Sequence, residues 1–342
     1  MKFLYFLYLL KKTPANKLFA FIRHVTTVTG QPPFTTFKKL ISHFLKYNTA
    51  FLDYFYLEFY TKKEKEIKQY LDTLYMYRFH RKMNDKNFIQ LFKNKSLFYK
   101  KFADFINHEH FAFKSQDAVS FEAWLNKNQP AYIISKNNTG QVGKGIKKAK
   151  VALKNNRFFI NDNPLENFYN SLDKENTLLE INIEQHPVLE AFHPDSLNTV
   201  RVITHIDQDH KLNLLGTMIR IGVDKQNIDN FDAGGVSAVI DKESGIIEGG
   251  LVYKDPRKKL KDARAHPTTN AIVTGVQLPY WDELLQLIKK IVLVVPQIRT
   301  VGWDIAITPQ GPALLEGNHN WDKTHWQKVY GKGMKPLLEN LN

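Results

Sequence analysis

Apolar and polar side chains alternate along short segments in the second half of the chain. The alternation runs over residues 299–308 and again over 312–318, and a period of two is typical of strands with one buried face. Pro-Gln-Gly at residues 309–311 predicts a three-residue hairpin loop between them, because Pro suits an αR position and Gly an αL position. Short apolar runs predict further strands over residues 131–135 and 178–183.

The predicted hairpin carries three oxygen-bearing side chains on one face. Its loop pairs Asp304 with Glu316, and the period of two places Asn318 on the same face. Ile305 and Leu315 are expected on the apolar opposite face. Two carboxylates and an amide oxygen suit a hard cation such as Mg²⁺. A surface hairpin with scattered acids is the alternative, and it leaves the apolar face unexplained.

A lysine and a glycine-rich loop follow the strand predicted over residues 131–135. Lys136 ends the strand, and Gly143, Lys144 and Gly145 lie in the loop. Glycines let backbone N–H groups approach phosphate oxygens closely, and lysines supply positive charge. The segment has the spacing of neither a Walker A loop nor a dinucleotide-binding loop. Alone it is more typical of a solvated basic turn; beside a Mg²⁺ site it predicts the phosphate end of a nucleotide pocket.

Two arginines lie on strands predicted over residues 199–205 and 214–223. They are Arg201 and Arg220. An arginine on a half-buried strand is unfavourable unless it is paired. One interpretation is an ordinary salt bridge to Asp or Glu. The other is a clamp on a transferring phosphoryl group or on a carboxylate.

Positive charge is concentrated at the N-terminus. The formal net charge of the chain is +14, and residues 1–101 hold 20 Lys+Arg against 6 Asp+Glu. Stretches such as residues 37–60 predict helices with aromatic faces and basic rims. Most of these aromatics are expected to form a core, while the basic surface attracts an anionic partner. An anionic membrane surface is favoured over nucleic acid, because no nucleic-acid-binding motif is present.

Composition restricts the cellular setting. The chain has no cysteine, which excludes disulfides and thiolate catalysis and fits the cytosol. The apolar run from Phe3 to Leu10 is too short to span a bilayer, and no signal-peptide cleavage site follows it. We therefore expect a cytoplasmic protein, peripheral at the inner membrane face if the basic segment binds lipid.

The order of these motifs resembles the sugar-transfer-associated ATP-grasp family, a branch of the ATP-grasp superfamily related to α-L-glutamate ligases. The resemblance covers residues 90–330 and is carried by Lys136 with its loop, NTVRVIT (198–204), DNFDAGGVSAVID (229–241), AHPTT (265–269), GWDIAI (302–307) and LLEGN (314–318). It implies an α+β ATP-grasp fold in three parts. These are a helical, basic N-terminal region (1–101), a central subdomain with the Gly-rich loop (102–186) and a C-terminal subdomain with the metal site (187–342).

The resemblance also implies roles for individual residues. Those on the side of ATP are Lys95 and Lys136 at the phosphates, Gly143, Lys144 and Gly145 closing over them, Glu180 to Ile183 at the adenine, and Glu184 near the ribose. Those at the reacting end are Asp304, Glu316 and Asn318 as Mg²⁺ ligands, Arg201 and Arg220 as catalytic arginines, and Asn230, Gly234 and Gly235 as an anion-binding turn.

The implied function is an ATP- and Mg²⁺-dependent carboxylate–amine ligase that acts through an acyl phosphate. Its substrates would carry a carboxylate and an amine, as glycan precursors in cell-surface polysaccharide biosynthesis. A kinase that phosphorylates a hydroxyl would need the same ATP site and remains an alternative. The other alternative is a non-catalytic nucleotide-binding module of polysaccharide machinery, against which the intact Lys136, Asp304, Glu316 and Asn318 argue.

Overall fold

The computed structural model describes residues 2–113, 118–140, 145–224 and 229–341. Within these ranges the chain forms fourteen α-helices and twelve β-strands. Eight helices come first, and two antiparallel six-stranded sheets follow. The predicted α+β class is confirmed. None of the helices in these ranges combines the length and the apolarity needed to cross a lipid bilayer.

The N-terminal helices are α1 (Lys2–Lys12), α2 (Ala15–Thr29), α3 (Pro33–Tyr47), α4 (Phe51–Tyr56), α5 (Glu64–Ile67), α6 (Thr73–Met83), α7 (Ile89–Lys93) and α8 (Lys95–Lys101). Their buried residues recur at helical spacing: Thr36, Leu40 and Phe44 of α3 are buried at i, i+4 and i+8. Asp72 begins α6 by accepting hydrogen bonds from the N–H groups of its first turn.

The helices before and after residue 70 contribute to different hydrophobic clusters. Buried side chains between Leu9 and Tyr70, most of them aromatic, form one cluster. Phe79 of α6 instead packs in a cluster with Ile203. Phe102, just after α8, lies 5.7 Å from Trp303 between ring centroids. The segment after residue 70 therefore packs with the sheets that follow it.

The first sheet has the strand order β1-β6-β2-β3-β4-β5. Its strands are β1 (His110–Ala112), β2 (Tyr132–Asn137), β3 (Lys147–Lys154), β4 (Arg157–Ile160), β5 (Asn163–Pro164) and β6 (Thr177–Ile181). Helices α9 (Ala118–Asn128) and α10 (Leu165–Ser171) contribute to a core that includes Ile133 and Leu179. Because side chains alternate, Ile134, Lys136 and Glu180 face the other side of the sheet.

The second sheet has the strand order β10-β9-β8-β7-β11-β12. Its strands are β7 (Thr199–Ile206), β8 (Leu212–Ile221), β9 (Val236–Ile240), β10 (Ile247–Tyr253), β11 (Thr300–Thr308) and β12 (Gly311–Asn318), and its helices are α11 (Pro187–Glu190), α12 (Trp281–Ile291), α13 (Lys323–Val329) and α14 (Lys335–Glu339). Val200 and Val202 pack in one core cluster with Leu284 and Ile288 of α12. By alternation, Arg201 lies on the opposite face.

The hairpin β11–β12 pairs Asp304 with Glu316 and Gly302 with Asn318, as the sequence predicts. The predicted three-residue loop is wrong, since Thr308 pairs with Gly311 across a two-residue turn. The register shifts between Asp304 and Ile305, which pairs with Leu314. The extra residue of this bulge is Leu315.

The bulge also corrects the predicted apolar face of the hairpin. Leu314, and not Leu315, packs in the core cluster that contains Ile305. Leu315 packs with the partly buried Ile183 and Leu197 instead. A single bulged residue thus compensates for the shorter loop and restores the pairing of the two acids.

Candidate active site

A cleft is lined by residues of both sheets and of α8. The lining residues of α8, the first sheet and the segment after β6 are Lys95, Ile134, Lys136, Asn137, Lys148, Glu180, Ile181, Asn182 and Ile183. Those of the second sheet and its connecting segments include Thr199, Arg201, Arg220, Asp229, Asn230, Asp304, Leu315, Glu316, Asn318, Asp322 and His325. Apart from the predicted anion-binding turn, thirteen residues were predicted as ATP contacts (with Glu180 and Ile183 for the adenine segment), Mg²⁺ ligands or catalytic arginines, and nine of them are in this lining. The exceptions are Glu184, which is exposed to solvent, Gly145 beside Asn137, and Gly143 and Lys144, which lie outside the described residues.

Lys136 is fixed by a buried carboxylate. Its Nζ lies 2.5 Å from Oε2 of Glu180, whose side chain is 2% exposed. The hydroxyl of Tyr99 donates to the other Glu180 oxygen at 2.6 Å. Burial by itself would raise the pKa of Glu180, but the charge of Lys136 holds that pKa below its ordinary value. The ion pair therefore orients Lys136 where β2 and β6 lie side by side.

Lys95 reaches the same part of the cleft from the start of α8. Its Nζ donates to the carbonyl oxygen of Gly140 at 2.7 Å. Desolvation lowers the pKa of Lys95, and the neighbouring positive charge of Lys136 acts in the same direction. Glu316 opposes this shift. An anion bound near Lys95 and Lys136 in addition to Glu180, such as a phosphate, would offset the repulsion between the two lysines.

Gly145 is required by the close approach of a neighbouring side chain. Its φ is +82°, and a Cβ atom at this position would lie 2.6 Å from Nδ2 of Asn137. A residue with a side chain would be strained there whatever the space. The glycine is therefore needed for the chain to return next to β2.

Asp304 is held by two arginines. Arg201 binds it in a bidentate manner, with Nε 2.5 Å from Oδ1 and a terminal nitrogen 3.0 Å from Oδ2. A terminal nitrogen of Arg220 lies 3.2 Å from Oδ2. Asp304 is 2% exposed, and although burial opposes ionisation, the arginines hold its pKa well below the ordinary value. The arginines form the salt bridges that one interpretation predicted, and both also line the cleft. Their role as a clamp on a phosphoryl group or a carboxylate stays a prediction.

Glu316 lacks such compensation. Burial, and then the charge of Asp304 across the hairpin, raise the pKa of Glu316. Asn318 donates its amide to Glu316 at 3.0 Å and to Asp304 at 3.3 Å. No group of three or more His, Cys, Asp or Glu side chains suited to a metal occurs in the described part of the chain.

A hard cation fits this arrangement through two carboxylates and one amide. Two buried carboxylates that face each other need a positive partner on the side of Glu316, because among the described residues Arg201 and Arg220 form ion pairs with Asp304 and not with Glu316. The donor set is all oxygen once Asn318 turns its amide to present Oδ1, and such donors suit Mg²⁺.

Two residues missed by the sequence interpretation complete the arginine network. Thr199 accepts hydrogen bonds from Arg220 at 3.0 and 2.8 Å and donates to Asp229. Asp229 lies 3.3 Å from Nε of Arg220. Burial raises the pKa of Asp229 although Arg220 opposes the shift. Asp229 and Thr199 lie inside motifs noted in the sequence, but their contact with Arg220 depends on tertiary structure, since the pairing of β7 with β8 places Thr199 opposite Arg220.

The remaining lining divides into an apolar and a polar part. Ile134, Ile183 and Leu315 supply apolar surface. At the other side His325 stacks on Phe231, with ring centroids 4.3 Å apart. These positions were not predicted, except for Ile183, because apolar residues near a site carry no distinctive sequence signal.

Asn230, Gly234 and Gly235 form a tight backbone turn, and anion binding by this turn stays a prediction. Gly235 donates its N–H to the carbonyl oxygen of Asn230 at 3.1 Å. A Cβ atom on Gly235 would lie 2.8 Å from the carbonyl oxygen of Ile221. Asn230 lines the cleft, and Gly234 adopts a φ of 110°.

Residues 75–342 match the sugar-transfer associated ATP-grasp family. The chain belongs to this family. The ATP-grasp fold expected from the sequence is thereby confirmed, and the match extends beyond the predicted limits of 90 and 330. It begins within α6, close to the change of core near residue 70. The helices that precede it are outside the region that the family shares.

No curated protein matches the chain. Among solved structures, it resembles N5-carboxyaminoimidazole ribonucleotide synthetase from Thermotoga maritima (10% identity, 73% of this chain and 49% of that chain, TM-score 0.37). It also resembles D-alanyl-alanine synthetase A from Vibrio cholerae (12%, 74% and 61%, 0.42) and D-alanine–D-alanine ligase from Bacillus anthracis (11%, 73% and 66%, 0.39). The chain spans about half the length of the first of these structures. Similarities this low do not transfer an activity to the ATP-grasp protein described here.

Proposed function

We propose that this protein is an ATP- and Mg²⁺-dependent ligase that joins a carboxylate to an amine. One observation carries the proposal: Lys95 and Lys136 line the same cleft as the opposed pair Asp304 and Glu316. Positive groups for phosphates and oxygen ligands for a cation are the two halves of a nucleotide–metal site.

The first sheet supplies the contacts for ATP in this proposal. Lys136, held by Glu180, binds phosphate oxygens, and Lys95 adds a second charge. Ile183 and Leu315 provide apolar surface for the base. The backbone N–H groups of Ile181 and Asn182 already donate to Glu109 and Tyr132, so backbone contacts with the base would come from the residues that follow them.

The second sheet supplies the reacting end. Asp304, Glu316 and Asn318 would hold Mg²⁺, which neutralises phosphate charge. Arg201 and Arg220 are fixed by Asp304 and Asp229, and they are positioned to stabilise negative charge on the transferred phosphoryl group.

The proposed reaction has two steps. A carboxylate oxygen of the first substrate attacks the γ-phosphorus, the bond to the ADP oxygen breaks, and an acyl phosphate forms. The amine nitrogen then attacks the acyl carbon, the bond to the phosphate oxygen breaks, and inorganic phosphate leaves while the amine loses a proton. The protein contributes positioning and charge stabilisation.

We further propose that the substrates are carboxylate- and amine-bearing glycan precursors of cell-surface polysaccharide, and that the reaction takes place in the cytoplasm. The description of the family as sugar-transfer associated supports the first point. The need for ATP supports the second.

One observation favours a second candidate function, a kinase. Asp229 is 9% exposed, lines the cleft beside Arg220, and has a pKa raised by burial. A carboxylate with these properties is suited to accept the proton of an attacking hydroxyl group. The product would then be a stable phosphate ester.

Hydroxylamine distinguishes these functions. With ATP, Mg²⁺ and a pool of carboxylates, we expect hydroxamate to accumulate together with ADP and phosphate, because hydroxylamine intercepts the acyl phosphate. Glu316→Gln serves as the inactive control. A phosphate ester without hydroxamate would identify the kinase. Release of AMP and pyrophosphate would exclude both, and nucleotide binding without turnover would indicate a non-catalytic module.

A further inference from the structure

The exposed apolar side chains of the described residues are concentrated on the first three helices. Seventeen large hydrophobic side chains are exposed, and eight of them lie on α1, α2 and α3: Leu7, Tyr8, Leu10, Phe19, Val28, Phe34, Phe37 and Leu45. The other nine are spread over residues 77–337. Apolar surface grouped in this way marks an interaction site.

Helix α3 shows why this surface is separate from the core. Leu40 and Phe44 are buried in the aromatic cluster of the N-terminal helices. Phe34 and Phe37 lie in the first part of the same helix and are 67% and 43% exposed. The helix therefore carries apolar side chains that its own core leaves exposed.

Three of the four exposed aromatic residues on α1, α2 and α3 have a basic residue one turn further along the helix. The pairs are Tyr8 with Lys12, Phe19 with Arg23, and Phe34 with Lys38. The Nζ atom of Lys38 lies 4.6 Å from the centroid of Phe34, and that of Lys12 lies 6.0 Å from Tyr8. Here the aliphatic part of a basic side chain extends along an aromatic ring. This arrangement is typical of protein surfaces that lie in the headgroup region of a bilayer.

The charge of these helices is of one sign. Residues 1–52 contain eight Lys+Arg and no Asp or Glu. Among those basic side chains that the structure describes, Lys46 alone forms an ion pair, with Glu64 at 2.8 Å. The other charges are thus available to attract an anionic surface.

We propose that α1, α2 and α3 form a docking surface for an anionic lipid bilayer. Phe34, Phe37 and the exposed residues of α1 enter the headgroup region, and the neighbouring lysines contact lipid phosphates. Nucleic acid would satisfy the lysines but would leave the leucines and phenylalanines exposed. This surface is outside the family's matched region, and its role does not depend on the chemistry of the cleft.

Co-sedimentation of the full-length protein with vesicles tests the proposal. Vesicles contain phosphatidylcholine alone or mixed with phosphatidylserine, and duplex DNA is a parallel arm in the same buffer. We expect binding to the mixed vesicles that weakens as salt is raised. The double variant Phe34→Ser, Phe37→Ser should bind about tenfold more weakly, because it removes apolar area that the bilayer would bury. Leu153→Ser with Leu293→Ser, at residues 53% and 51% exposed, is the matched control and should bind as wild type does.

Charge is tested separately. Lys11→Gln, Lys12→Gln and Lys38→Gln together should abolish the preference for phosphatidylserine, while Lys289→Gln with Lys290→Gln on the exposed side of α12 should not. When vesicles are added, the tryptophan emission of a Phe34→Trp variant should shift to shorter wavelength by more than the emission of the wild-type protein does. Wild-type protein that stays in the supernatant at low salt would overturn the proposal. So would binding that is insensitive to the two phenylalanines, or tighter binding to DNA than to the mixed vesicles.

Discussion

At the residue scale, the two acids of the hairpin differ in their partners. Asp304 has two arginines, whereas Glu316 has the amide of Asn318 and a pKa raised by burial and by Asp304. We expect Asp304→Asn and Glu316→Gln each to reduce ATP-dependent turnover about 10²-fold or more. Their effects on stability should be opposite.

Without metal, Asp304→Asn should lower the free energy of unfolding by about 3–5 kcal/mol, because it leaves buried arginines without their counter-charge. Glu316→Gln should raise it, because it removes repulsion between two carboxylates. Urea denaturation of both variants without added Mg²⁺ measures these changes. Equal destabilisation by the two substitutions would contradict the proposed asymmetry.

Lys136 offers a second test at the residue scale. Its side chain is 15% exposed and held by Glu180, whereas Lys147 is exposed on the neighbouring strand. Lys136→Ala should weaken the binding of a non-hydrolysable ATP analogue, and Lys147→Ala should leave it unchanged. Lys148 lines the cleft and is therefore not a suitable control. Calorimetric titration decides the matter, and equal losses for Lys136 and Lys147 would indicate a diffuse electrostatic effect.

At the element scale, sequence patterns predicted the positions of strands, because these depend on local geometry. Alternation predicts the strand around Asp304, and a short apolar run predicts the strand that ends at Lys136, so the positions of both could be anticipated. The bulge at Leu315 could not, since it depends on how β12 pairs with β11 and not on the residue itself. Contacts such as that of Tyr99 with Glu180 join residues 81 positions apart, and no periodicity encodes them.

The attachment of α4 to α13 is another long-range element that the sequence did not indicate. Asp53 of α4 lies 2.6 Å from Nζ of Lys323, and Thr324 donates to its other oxygen at 2.9 Å. The side chains of Asp53 and Lys323 are 13% and 7% exposed. The neighbouring Asp322 lines the cleft, so this contact joins the N-terminal helices to the site.

Asp53→Asn should lower the free energy of unfolding by about 3–5 kcal/mol, because Lys323 would remain buried without its partner. Asp162→Asn is the matched control: its ion pair with Lys154 is exposed and should contribute little. Chemical denaturation compares the two. A loss that is the same in both variants would show that the contact between α4 and α13 does not stabilise the fold.

At the scale of the whole molecule, buried histidines determine the response to acid. Burial lowers the pKa of His43, His80, His108 and His205 from 6.5 to about 4. Each has a ring nitrogen with no hydrogen-bond partner among the described residues, so a proton added there would lack an acceptor. The folded protein therefore keeps these rings neutral in a range where the unfolded chain protonates them.

The sign of the effect follows from linkage. Between pH 6.5 and 4 the unfolded state binds more protons at these four sites, so the stability that they contribute is lost as the pH falls through this range. Each can contribute up to about 1.4 kcal/mol per pH unit. Asp229 and Glu316, whose pKa values are raised by burial, act in the opposite direction but are only two groups.

We therefore expect the melting temperature to fall steeply as the pH is lowered from neutrality to about 5, before most carboxylates are protonated. His80→Gln should make the decline shallower, because it removes one of the titrating sites. Thermal unfolding followed by circular dichroism over this range provides the measurement, with His210→Gln, at an exposed turn, as the control. A melting temperature that stays constant down to pH 5 would mean that the buried rings take up protons in the folded state. Each protonated ring would then need a hydrogen-bond acceptor or a water molecule next to its free nitrogen.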